Sequence, residues 1–406
     1  MMEMALGTFL IIALILGLAL GLLVARSRLI PDVVLRVSVN DGQVIEAKRG
    51  AKLLEVLHGG NIPIPAACGG SGTCGQCRVA VTGEGAGDLR STERGLLSAR
   101  ERRENVRLAC QISLRGSVSV DVPPEIMSAE SFACTVVSNR MLAPLIRELV
   151  LKLPEDRDLD FRAGGFMLLT APPHEMNFSQ LDVDPVHEVI WRVSGWFDLL
   201  SKTSERTTRA YSVANRPEDT GLLVHNIRLA VPPAGRENQI PPGIVSSYLF
   251  GLNSGDSIDV SGPFGDFHVQ PTNREMIFVG GGVGMAPLRA MIHEQLSLGT
   301  KRHISYYYGA RSRADLFYVD EFEALAAKHS NFSWTPALSD PAPGDQWRGN
   351  TGFIHETLQI NLAKHPAPDE CEYYLCGPPI MISAVLATLE DFGVESNLIF
   401  HDDFGT

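Results

Sequence analysis

The sequence predicts a multidomain protein in which an N-terminal transmembrane helix precedes three folded units. These units are a small α+β domain, an antiparallel β-barrel domain and an α/β domain with a parallel sheet. Three observations carry this prediction: a long uncharged run at the N-terminus, a glycine-rich loop with three cysteines, and a strand that leads through glycines into a helix. The chain has 406 residues, room for about two to four domains. Its composition, 45% hydrophobic and 20% charged, excludes a mostly disordered chain.

The charge balance argues against nucleic acid as a partner. Lys and Arg together number 35 and Asp and Glu 47, so the formal net charge is −12. A nucleic-acid-binding protein usually presents a basic face to the phosphate backbone. We therefore expect small molecules, other proteins and a membrane as the partners.

The uncharged run at residues 4–25 is the predicted membrane helix. A helix of that length rises about 33 Å, which is enough to cross a hydrocarbon core of about 30 Å. A cleaved signal peptide is the alternative, but Glu3 precedes the run and the run is longer than a usual signal core. Arg26 and Arg28 follow directly, so the positive-inside tendency places the C-terminal bulk on the cytoplasmic side.

Four of the seven cysteines form a pattern typical of a metal centre: Cys68, Cys74, Cys77 and the distant Cys110. Five residues separate the first two and three of them are glycines, and glycine lets a loop turn its backbone N–H groups toward one point. A [2Fe-2S] cluster needs four thiolates, and a four-thiolate zinc site is the alternative. Zinc sites more often use two separated Cys-x-x-Cys pairs, so the single loop favours the cluster. The odd cysteine count argues against a disulfide framework.

The flanks of this loop predict a small α+β unit. Strand-like runs at Val33–Val39 and Gln43–Ala47 are joined at Asn40-Asp41-Gly42, a strong hairpin signal. Ser98 and Glu101 have the spacing of a capping box that opens a helix. The charged run Arg100–Arg107 is interpreted as a solvated helix face.

The cysteine loop and the later run Leu108-Ala109-Cys110-Gln111 resemble a ferredoxin domain of the β-grasp type. The resemblance implies a domain over residues 32–125, with Cys68, Cys74, Cys77 and Cys110 as the ligands of a [2Fe-2S] cluster. The first spacing is one residue longer than in the plant-type loop.

Residues 132 to about 270 contain many short β-like runs with turn signals, which predict an antiparallel barrel. Within it, Arg209 offers a forked donor for phosphate, and Tyr211 offers an aromatic face for a flat ring. Ser212 offers a hydroxyl to a ring nitrogen. The later motif from Pro242 to Tyr248 can open a helix whose N–H groups accept phosphate.

The order and spacing of these two motifs resemble the flavin domain of the ferredoxin–NADP reductase superfamily. The resemblance implies FAD bound by a domain over residues 130–270. It places Arg209 on the pyrophosphate, Tyr211 against the isoalloxazine and Ser212, as a catalytic residue, near the reactive nitrogen. It also places three residues around the phosphates: Gly243, Ser246 and Ser247. The stretch Ala171–Thr208 is expected to be a tolerated insertion, with a docking surface as the alternative.

The last unit, over residues 274–406, carries the pattern of a dinucleotide site. The apolar strand Met276–Val279 leads into a turn containing Gly280, Gly282 and Gly284, and Pro287 stands where a helix would begin. Strand, glycine turn and helix N-terminus together form a pyrophosphate site. The next strand, Ile304–Tyr308, lacks the usual acid at its end, so the residues alone leave NADH and NADPH open.

Two further segments of the chain resemble the same reductase superfamily. The strand Glu372–Leu375 ends in Cys376-Gly377, and the resemblance places both residues at the nicotinamide, with Cys376 as a catalytic residue. On many folds such a cysteine is simply a small buried hydrophobe. Phe404 is the C-terminal aromatic that the resemblance implies over the flavin, and a frayed tail is the alternative. The resemblance favours NADH as the substrate.

Taken together, helix, ferredoxin, flavin barrel and nucleotide domain resemble the family of F subunits of sodium-translocating NADH:quinone oxidoreductases. The resemblance implies a single-pass protein of the bacterial inner membrane, with its soluble domains on the cytoplasmic side. NADH would reduce FAD by hydride transfer, and single electrons would pass through the cluster to other membrane subunits and ubiquinone. No charge interrupts the predicted helix, so the sodium path is expected in other subunits.

Two alternatives remain. One is a membrane-tethered NADH-dependent reductase that feeds an oxygenase. The other is a non-catalytic, zinc-stabilised adaptor, which predicts a colourless protein.

Overall fold

The computed structural model describes residues 14–18, 21, 34–40, 42–66, 69–127, 129–157, 159, 161–237 and 239–403. Residues 14–18 are helical, and their leucine and isoleucine side chains are exposed. Within these ranges, no helix combines the length and the apolar character needed to cross a membrane. Most of the predicted span over residues 4–25 lies outside them.

From residue 34 onward, the described residues form nineteen strands and ten α-helices. The strands are β1 (Val34–Val39), β2 (Gln43–Lys48), β3 (Arg78–Thr82), β4 (Val106–Leu108), β5 (Val118–Asp121), β6 (Glu130–Ala143), β7 (Ile146–Lys152), β8 (Phe166–Ala171), β9 (His174–Asn177), β10 (Leu200–Thr203), β11 (Thr207–Ser212), β12 (Leu222–Arg228), β13 (Ser257–Phe264), β14 (Met276–Gly281), β15 (Ile304–Ala310), β16 (Phe332–Leu338), β17 (Asn350–Thr351), β18 (Glu372–Gly377) and β19 (Ile399–Asp403). The helices are α1 (Leu53–Gly59), α2 (Ser91–Leu96), α3 (Ala99–Arg103), α4 (Pro124–Met127), α5 (Pro185–Val193), α6 (Ile244–Phe250), α7 (Met285–Ser297), α8 (Val319–Lys328), α9 (Ile354–Leu362) and α10 (Pro379–Asp391).

The N-terminal unit is built on a five-stranded mixed sheet in the order β2-β1-β5-β3-β4. The predicted hairpin is confirmed, because β1 and β2 are antiparallel with Val39 opposite Gln43. Alternate residues of β1 point inward, so Val37 packs in a core that also holds Leu53 and Leu57 of α1. This pattern of a hydrophobic sheet face covered by a short helix is the predicted α+β unit.

The predicted capping box is confirmed, but the charged run after it is not one helix face. Ser98 and Glu101 each accept from the other's backbone N–H, and α3 ends at Arg103. Arg107 lies on β4, is buried and makes a double ion pair with the fully buried Glu93. Burial alone would raise the pKa of Glu93, yet the hydrogen bonds from Arg107 and from backbone N–H groups lower it. The interpretation as a solvated face is therefore wrong at Arg107.

The middle unit is the predicted antiparallel barrel. Its six strands have the order β11-β8-β13-β6-β7-β12, and all their pairings are antiparallel. A β-bridge between Val213 and His225 joins the two outer strands and closes the sheet. The insertion at Ala171–Thr208 is folded: Trp191 of α5 is fully buried and donates to the Pro144 carbonyl oxygen at 2.7 Å.

The last unit has a six-stranded sheet in the order β17-β16-β15-β14-β18-β19, with every pairing parallel. The predicted strands are confirmed as β14, β15 and β18. Helix α7 begins at Met285, two residues before the predicted start at Pro287. Its apolar residues Leu288, Met291, Ile292 and Leu296 are buried, and so is the charged Arg289 on the same helix.

Candidate functional site

Three of the four predicted cluster cysteines meet at one end of the N-terminal sheet. Strand β3 starts directly after Cys77, and β4 runs into the short 3-10 helix that carries Cys110. The two strands pair with Arg78 opposite Leu108, and the Ala109 N–H donates to the Cys77 carbonyl oxygen at 2.9 Å. The hydrogen bond with Cys110, burial and the charges of Cys110 and Cys74 raise the pKa of the Cys77 thiol. Cys68 lies outside the described residues.

The loop around these thiols depends on its glycines. Gly69, Gly70, Gly72 and Gly75 all have positive φ, which side chains other than glycine's rarely adopt. A Cβ on Gly72 would lie 2.4 Å from Nε2 of Gln111, and that same nitrogen donates to the Cys110 sulfur at 3.3 Å. Converging thiols with an amide donor on a sulfur fit an iron–sulfur cluster.

The cysteine loop lies directly against the predicted flavin motif. A Cβ built on Gly69 would be only 3.0 Å from Nε of Arg209, so the loop backbone passes beside that guanidinium. The guanidinium of Arg209 also affects His58 of α1. Burial lowers the pKa of His58, and the positive charge of Arg209 lowers this pKa further. The sequence pattern alone does not predict this contact.

The flavin motif lies on β11, beside β8 in the barrel. Arg209 is exposed, Tyr211 is half-buried and Ser212 is buried at the strand end. Among the residues that the structure describes, the Ser212 hydroxyl has no hydrogen-bond partner. A buried hydroxyl costs free energy when it stays unpaired, so this site fits a ligand ring with polar edge atoms such as the flavin of FAD.

His225 supports the end of β11 from the neighbouring strand β12. Its Nδ1 donates to the Ser212 carbonyl oxygen at 2.9 Å, which leaves Nε2 without hydrogen. This Nε2 is also buried with no partner in the described part of the chain. Burial lowers the pKa of His225 to about 4, against the opposing effect of its backbone hydrogen bonds, so the ring is neutral at pH 7.

Ser246 and Ser247 of α6, which the resemblance places around the phosphates, form hydrogen bonds within the protein. The Ser246 and Ser247 hydroxyls both donate to the Gly243 carbonyl oxygen, at 3.1 and 2.7 Å. A Cβ on Gly243 would lie 2.7 Å from Cβ of Ala230, so only glycine fits there. Because no side chain caps the start of α6, its backbone N–H groups rather than the two hydroxyls are available to a phosphate.

The glycine turn and the Cys376-Gly377 pair come together at the carboxyl edge of the parallel sheet. Gly280 lies opposite Cys376 in the pairing of β14 with β18, and a Cβ on Gly284 would lie 2.0 Å from the Cys376 carbonyl oxygen. Tyr308 donates to the Gly282 carbonyl oxygen at 2.9 Å and holds the turn. Ligands bind at this edge of open parallel sheets. Cys376 itself is fully buried.

Phe404 lies outside the described residues, and its predicted place over the flavin remains a prediction. The strand before it, β19, pairs with β18 up to Asp403 opposite Gly377.

The barrel and the parallel-sheet unit are connected by polar side chains that the sequence analysis missed. Arg289 of α7 donates to the Ala214 carbonyl oxygen, two residues after Ser212, and makes a two-pronged ion pair with Glu321 at 2.6 and 2.8 Å. Its guanidinium also lies 4.5 Å from the ring centre of Tyr318. The available signal was a single charged residue, Arg289, among the apolar residues that follow Pro287.

Glu321 stays ionised in this network. Burial raises its pKa, but the hydrogen bonds and charges of His293 and Arg289 outweigh this effect and lower the pKa to about 2. The second connection is Tyr318, which donates to Glu148 of β7 at 2.5 Å and accepts from Asn226 of β12 at 2.9 Å.

Comparison with known proteins agrees with this division of the chain. Residues 37–115 match the family model of the 2Fe-2S iron-sulfur cluster binding domain. Residues 173–269 match the oxidoreductase FAD-binding domain, and residues 278–386 match the oxidoreductase NAD-binding domain.

Full-length relatives decide the family. The chain is 45% identical over 406 residues to the F subunit of the Na(+)-translocating NADH-quinone reductase of Marinomonas sp. (strain MWYL1), covering 100% of this chain and 99% of the relative. The chain belongs to this family of F subunits. The F subunit of the Neisseria gonorrhoeae enzyme is 44% identical, and the match covers 100% of both chains.

Among solved structures, the crystal structure of the Amycolatopsis cytochrome P450 reductase GcoB is similar, at 26% identity and a TM-score of 0.59. The match covers 92% of this chain and 99% of that one. The two chains thus share a similar fold over most of their length.

Replacing His225 with Asn is expected to make the barrel less sensitive to acid. The folded pKa of about 4 lies below the unfolded value of 6.5, so the neutral ring stabilises fully above 6.5 and this contribution is lost as the pH falls toward 4. Between about pH 7 and about pH 5 the wild type should lose about 2 kcal/mol that the variant retains. Urea titrations that follow flavin release at both pH values measure the difference.

Asn keeps an N–H donor near the position of Nδ1, so the Ser212 carbonyl oxygen retains a partner. His303→Asn, at an exposed histidine, is the matched control and should behave as the wild type. An unchanged pH dependence in His225→Asn would show that this ring does not titrate on unfolding.

Replacing Gly284 with Ala is expected to weaken NADH binding. The new Cβ would lie 2.0 Å from the Cys376 carbonyl oxygen, so the glycine turn must move away from the Cys376-Gly377 pair. We expect KM for NADH to rise by about tenfold or more, equal to about 1.4 kcal/mol, while dithionite still reduces the flavin. Gly344→Ala is the control, because a Cβ there meets nothing within 4 Å. A wild-type KM for NADH in Gly284→Ala would show that this turn does not take part in NADH binding.

Proposed function

We propose that this chain oxidises NADH and delivers single electrons toward quinone as the electron-input subunit of a sodium-translocating membrane complex. The observation that carries the proposal is the continuity of the three sites within a full-length member of the family of F subunits. The glycine turn is joined through Arg289 to the flavin strand, and the flavin strand touches the cysteine loop at Gly69. FAD, when bound, accepts a hydride and releases electrons one at a time, and the cluster carries single electrons.

The residues of the barrel would bind and orient the flavin. Arg209 is exposed and beside the cysteine loop, which suits a guanidinium that pairs with the pyrophosphate. Tyr211 would lie against the isoalloxazine. The Ser212 hydroxyl, which has no partner among the described residues, would donate to the reactive nitrogen of the ring, while the neutral His225 holds the strand end in place.

The parallel-sheet unit would bind NADH. The turn at Gly280, Gly282 and Gly284 leads into the 13-residue helix α7, whose N-terminal N–H groups suit a pyrophosphate. Cys376 and Gly377 lie against this turn and would border the nicotinamide. Phe404, the last catalytic candidate, would cover the flavin until the nicotinamide enters.

The surroundings of β15 support NADH rather than NADPH. Arg311 follows the strand, and its guanidinium pairs with Asp340 at 3.2 Å. A 2′-phosphate near Arg311 would therefore also face a carboxylate of the same sign.

We propose a single-pass helix at residues 4–25, with the soluble units at 32–125, 130–270 and 274–406 on the cytoplasmic side of a bacterial inner membrane. The uncharged run, Arg26 and Arg28 support the anchor and its orientation. The relatives' designation as a subunit supports further membrane subunits as partners, and these would contain the sodium path.

A reductase that feeds an oxygenase is the second candidate. The similarity to the Amycolatopsis cytochrome P450 reductase favours it, although the identity there is 26%, against 45% to the Marinomonas F subunit. Membranes that lack the chain should lose sodium-dependent quinone reduction under the first proposal. Normal quinone reduction with a lost hydroxylation would support the second.

Replacing Cys77 with Ala is expected to remove the visible absorption of the cluster and to leave flavin reduction by NADH intact. Cys77 is buried among the other thiols, and four thiolates hold the cluster. Quinone reduction in the assembled complex should fall to background. Cys134→Ala, at a buried cysteine of the barrel, is the control and should keep the cluster. A Cys77→Ala flavin that NADH no longer reduces would contradict this division of labour.

Replacing Ser212 with Ala is expected to slow flavin reduction by about tenfold, because the donor of one hydrogen bond is lost. The barrel should fold as in the wild type, since the hydroxyl makes no hydrogen bond within the described part of the protein, and rates are compared per bound FAD. Stopped-flow bleaching of the flavin by NADH measures the rate. Ser261→Ala, at a hydroxyl paired with Ser131, is the control. A full rate in Ser212→Ala would remove Ser212 from the catalytic residues.

A further inference from the structure

A second cluster of metal-binding side chains lies at the amino edge of the parallel sheet, opposite the glycine turn. Glu275 precedes β14 and Cys371 precedes β18, and these neighbouring parallel strands begin in register at Met276 and Glu372. His365 follows α9 and completes the group. Its Nε2 lies 3.1 Å from Oε2 of Glu275 and 3.9 Å from Sγ of Cys371.

The spacing of these atoms suits a tetrahedral ion. All three ligand atoms lie within 4.8 Å of one another. Zinc bonds of about 2.3 Å to sulfur and about 2.0 Å to nitrogen or oxygen place tetrahedral ligand atoms roughly 3.3 to 3.6 Å apart. The distances from Nε2 of His365 to Glu275 and to Cys371, 3.1 and 3.9 Å, lie on either side of this range. Small side-chain movements therefore suffice to bring the three ligand atoms into tetrahedral positions.

The mixed donor set selects among metals. A thiolate and an imidazole disfavour magnesium and calcium, which prefer oxygen ligands, and suit zinc. We propose that Glu275, His365 and Cys371 bind one zinc ion. This site is distinct from the four-cysteine loop and from the flavin and nucleotide sites.

The surroundings attract a cation and leave room for it. The cluster lines an open cleft of about 790 Å³, whose other charged residues are Arg274, Asp369, Glu370 and Glu395. Four carboxylates, including that of Glu275, thus face one guanidinium, which donates to the Glu370 carbonyl oxygen. A cleft lined mainly by one sign of charge concentrates ions of the other sign. The open side leaves a fourth coordination position for water.

Binding exchanges protons for the metal. Zinc binds a cysteine as the thiolate, so the Cys371 thiol loses its proton when the metal binds. The S–H bond breaks as the Zn–S bond forms, and that proton goes to solvent. The Ala367 N–H donates to Nδ1 of His365, so Nε2 carries the ring hydrogen. That hydrogen moves to Nδ1 when zinc binds Nε2, at the cost of the Ala367 contact.

The position of the site indicates a stabilising role. A metal there would connect the starts of the two central strands with the segment after α9. The six residues of β14 separate Glu275 from the glycine turn by about 20 Å. We therefore expect zinc to raise the unfolding temperature of the parallel-sheet unit without changing NADH oxidation.

The test uses the full-length protein with FAD and its cluster loaded, as verified by flavin and iron content. After chelator treatment that spares the iron, zinc chloride is titrated and followed by calorimetry, together with the protons released. The wild type should bind one zinc ion per chain and release about one proton. X-ray absorption at the zinc edge should show a single sulfur neighbour at about 2.3 Å among lighter ones at about 2.0 Å.

Variants then identify the ligands. Cys371→Ser and His365→Gln should lower zinc affinity by at least about tenfold and should abolish the rise in unfolding temperature. Cys134→Ser changes a buried thiol outside the cleft and should bind zinc as the wild type does. Glu275→Gln preserves the size of a half-buried side chain and should also lower zinc affinity. It therefore tests the site even if the variant at the buried Cys371 folds poorly.

Equal zinc stoichiometry and affinity in the wild type and these cleft variants would overturn the proposal. So would a wild-type zinc spectrum without sulfur. Zinc that inhibits NADH oxidation equally in the wild type and in Cys371→Ser would place the ion elsewhere.

Discussion

The buried guanidinium of Arg289 holds the barrel and the parallel-sheet unit together, and the placement of the redox sites depends on it. A buried charge is tolerated only when its hydrogen bonds and its countercharge are both supplied. Here Glu321 supplies the countercharge from the parallel-sheet unit, and the Ala214 carbonyl oxygen supplies an acceptor from the barrel. Because Ala214 lies two residues after Ser212, the same contact sets the flavin strand against the helix that follows the glycine turn.

Tyr318 strengthens this connection from the side. Its ring faces Arg289, and its hydroxyl joins Glu148 and Asn226 of the barrel. Several buried hydrogen bonds in one network resist sliding of the two units, since any displacement breaks these bonds together. The flavin strand and the helix after the glycine turn are thereby held in one arrangement.

Close backbone approach is the second constraint, and glycine makes it possible in each redox site. Gly69 passes beside Arg209, Gly72 beside Gln111, and Gly284 beside the Cys376 carbonyl oxygen. A side chain at Gly69 or Gly72 would displace Arg209 or Gln111, and a side chain at Gly284 would separate the two nucleotide turns. The sequence motifs are glycine-rich where the backbone passes this close to other groups.

Local patterns were sufficient for much of the fold. The β1–β2 hairpin, the capping box at Ser98 and the strands around the glycine turn all follow from short-range turn, capping and periodicity rules, and all are present. The same rules wrongly placed Arg107 on a solvated helix face. A run of charged residues does not show where the helix ends, nor that the buried Glu93 is the ion-pair partner of Arg107. The resemblance places Ser246 and Ser247 around the phosphates, which stays a prediction; in the structure both hydroxyls donate to the Gly243 carbonyl oxygen.

By itself, the sequence determined the order of the units, the cysteine loop, the flavin and nucleotide motifs and the family, because each depends on residues close together in the chain. Only the tertiary structure decided which distant groups meet: Arg209 with Gly69, Arg289 with Ala214, and Glu275 with His365 and Cys371. Each of these contacts depends on strand order and on register across a sheet or between domains. The packing of whole units decides which of these distant residues meet, and no rule based on spacing along the chain predicts it.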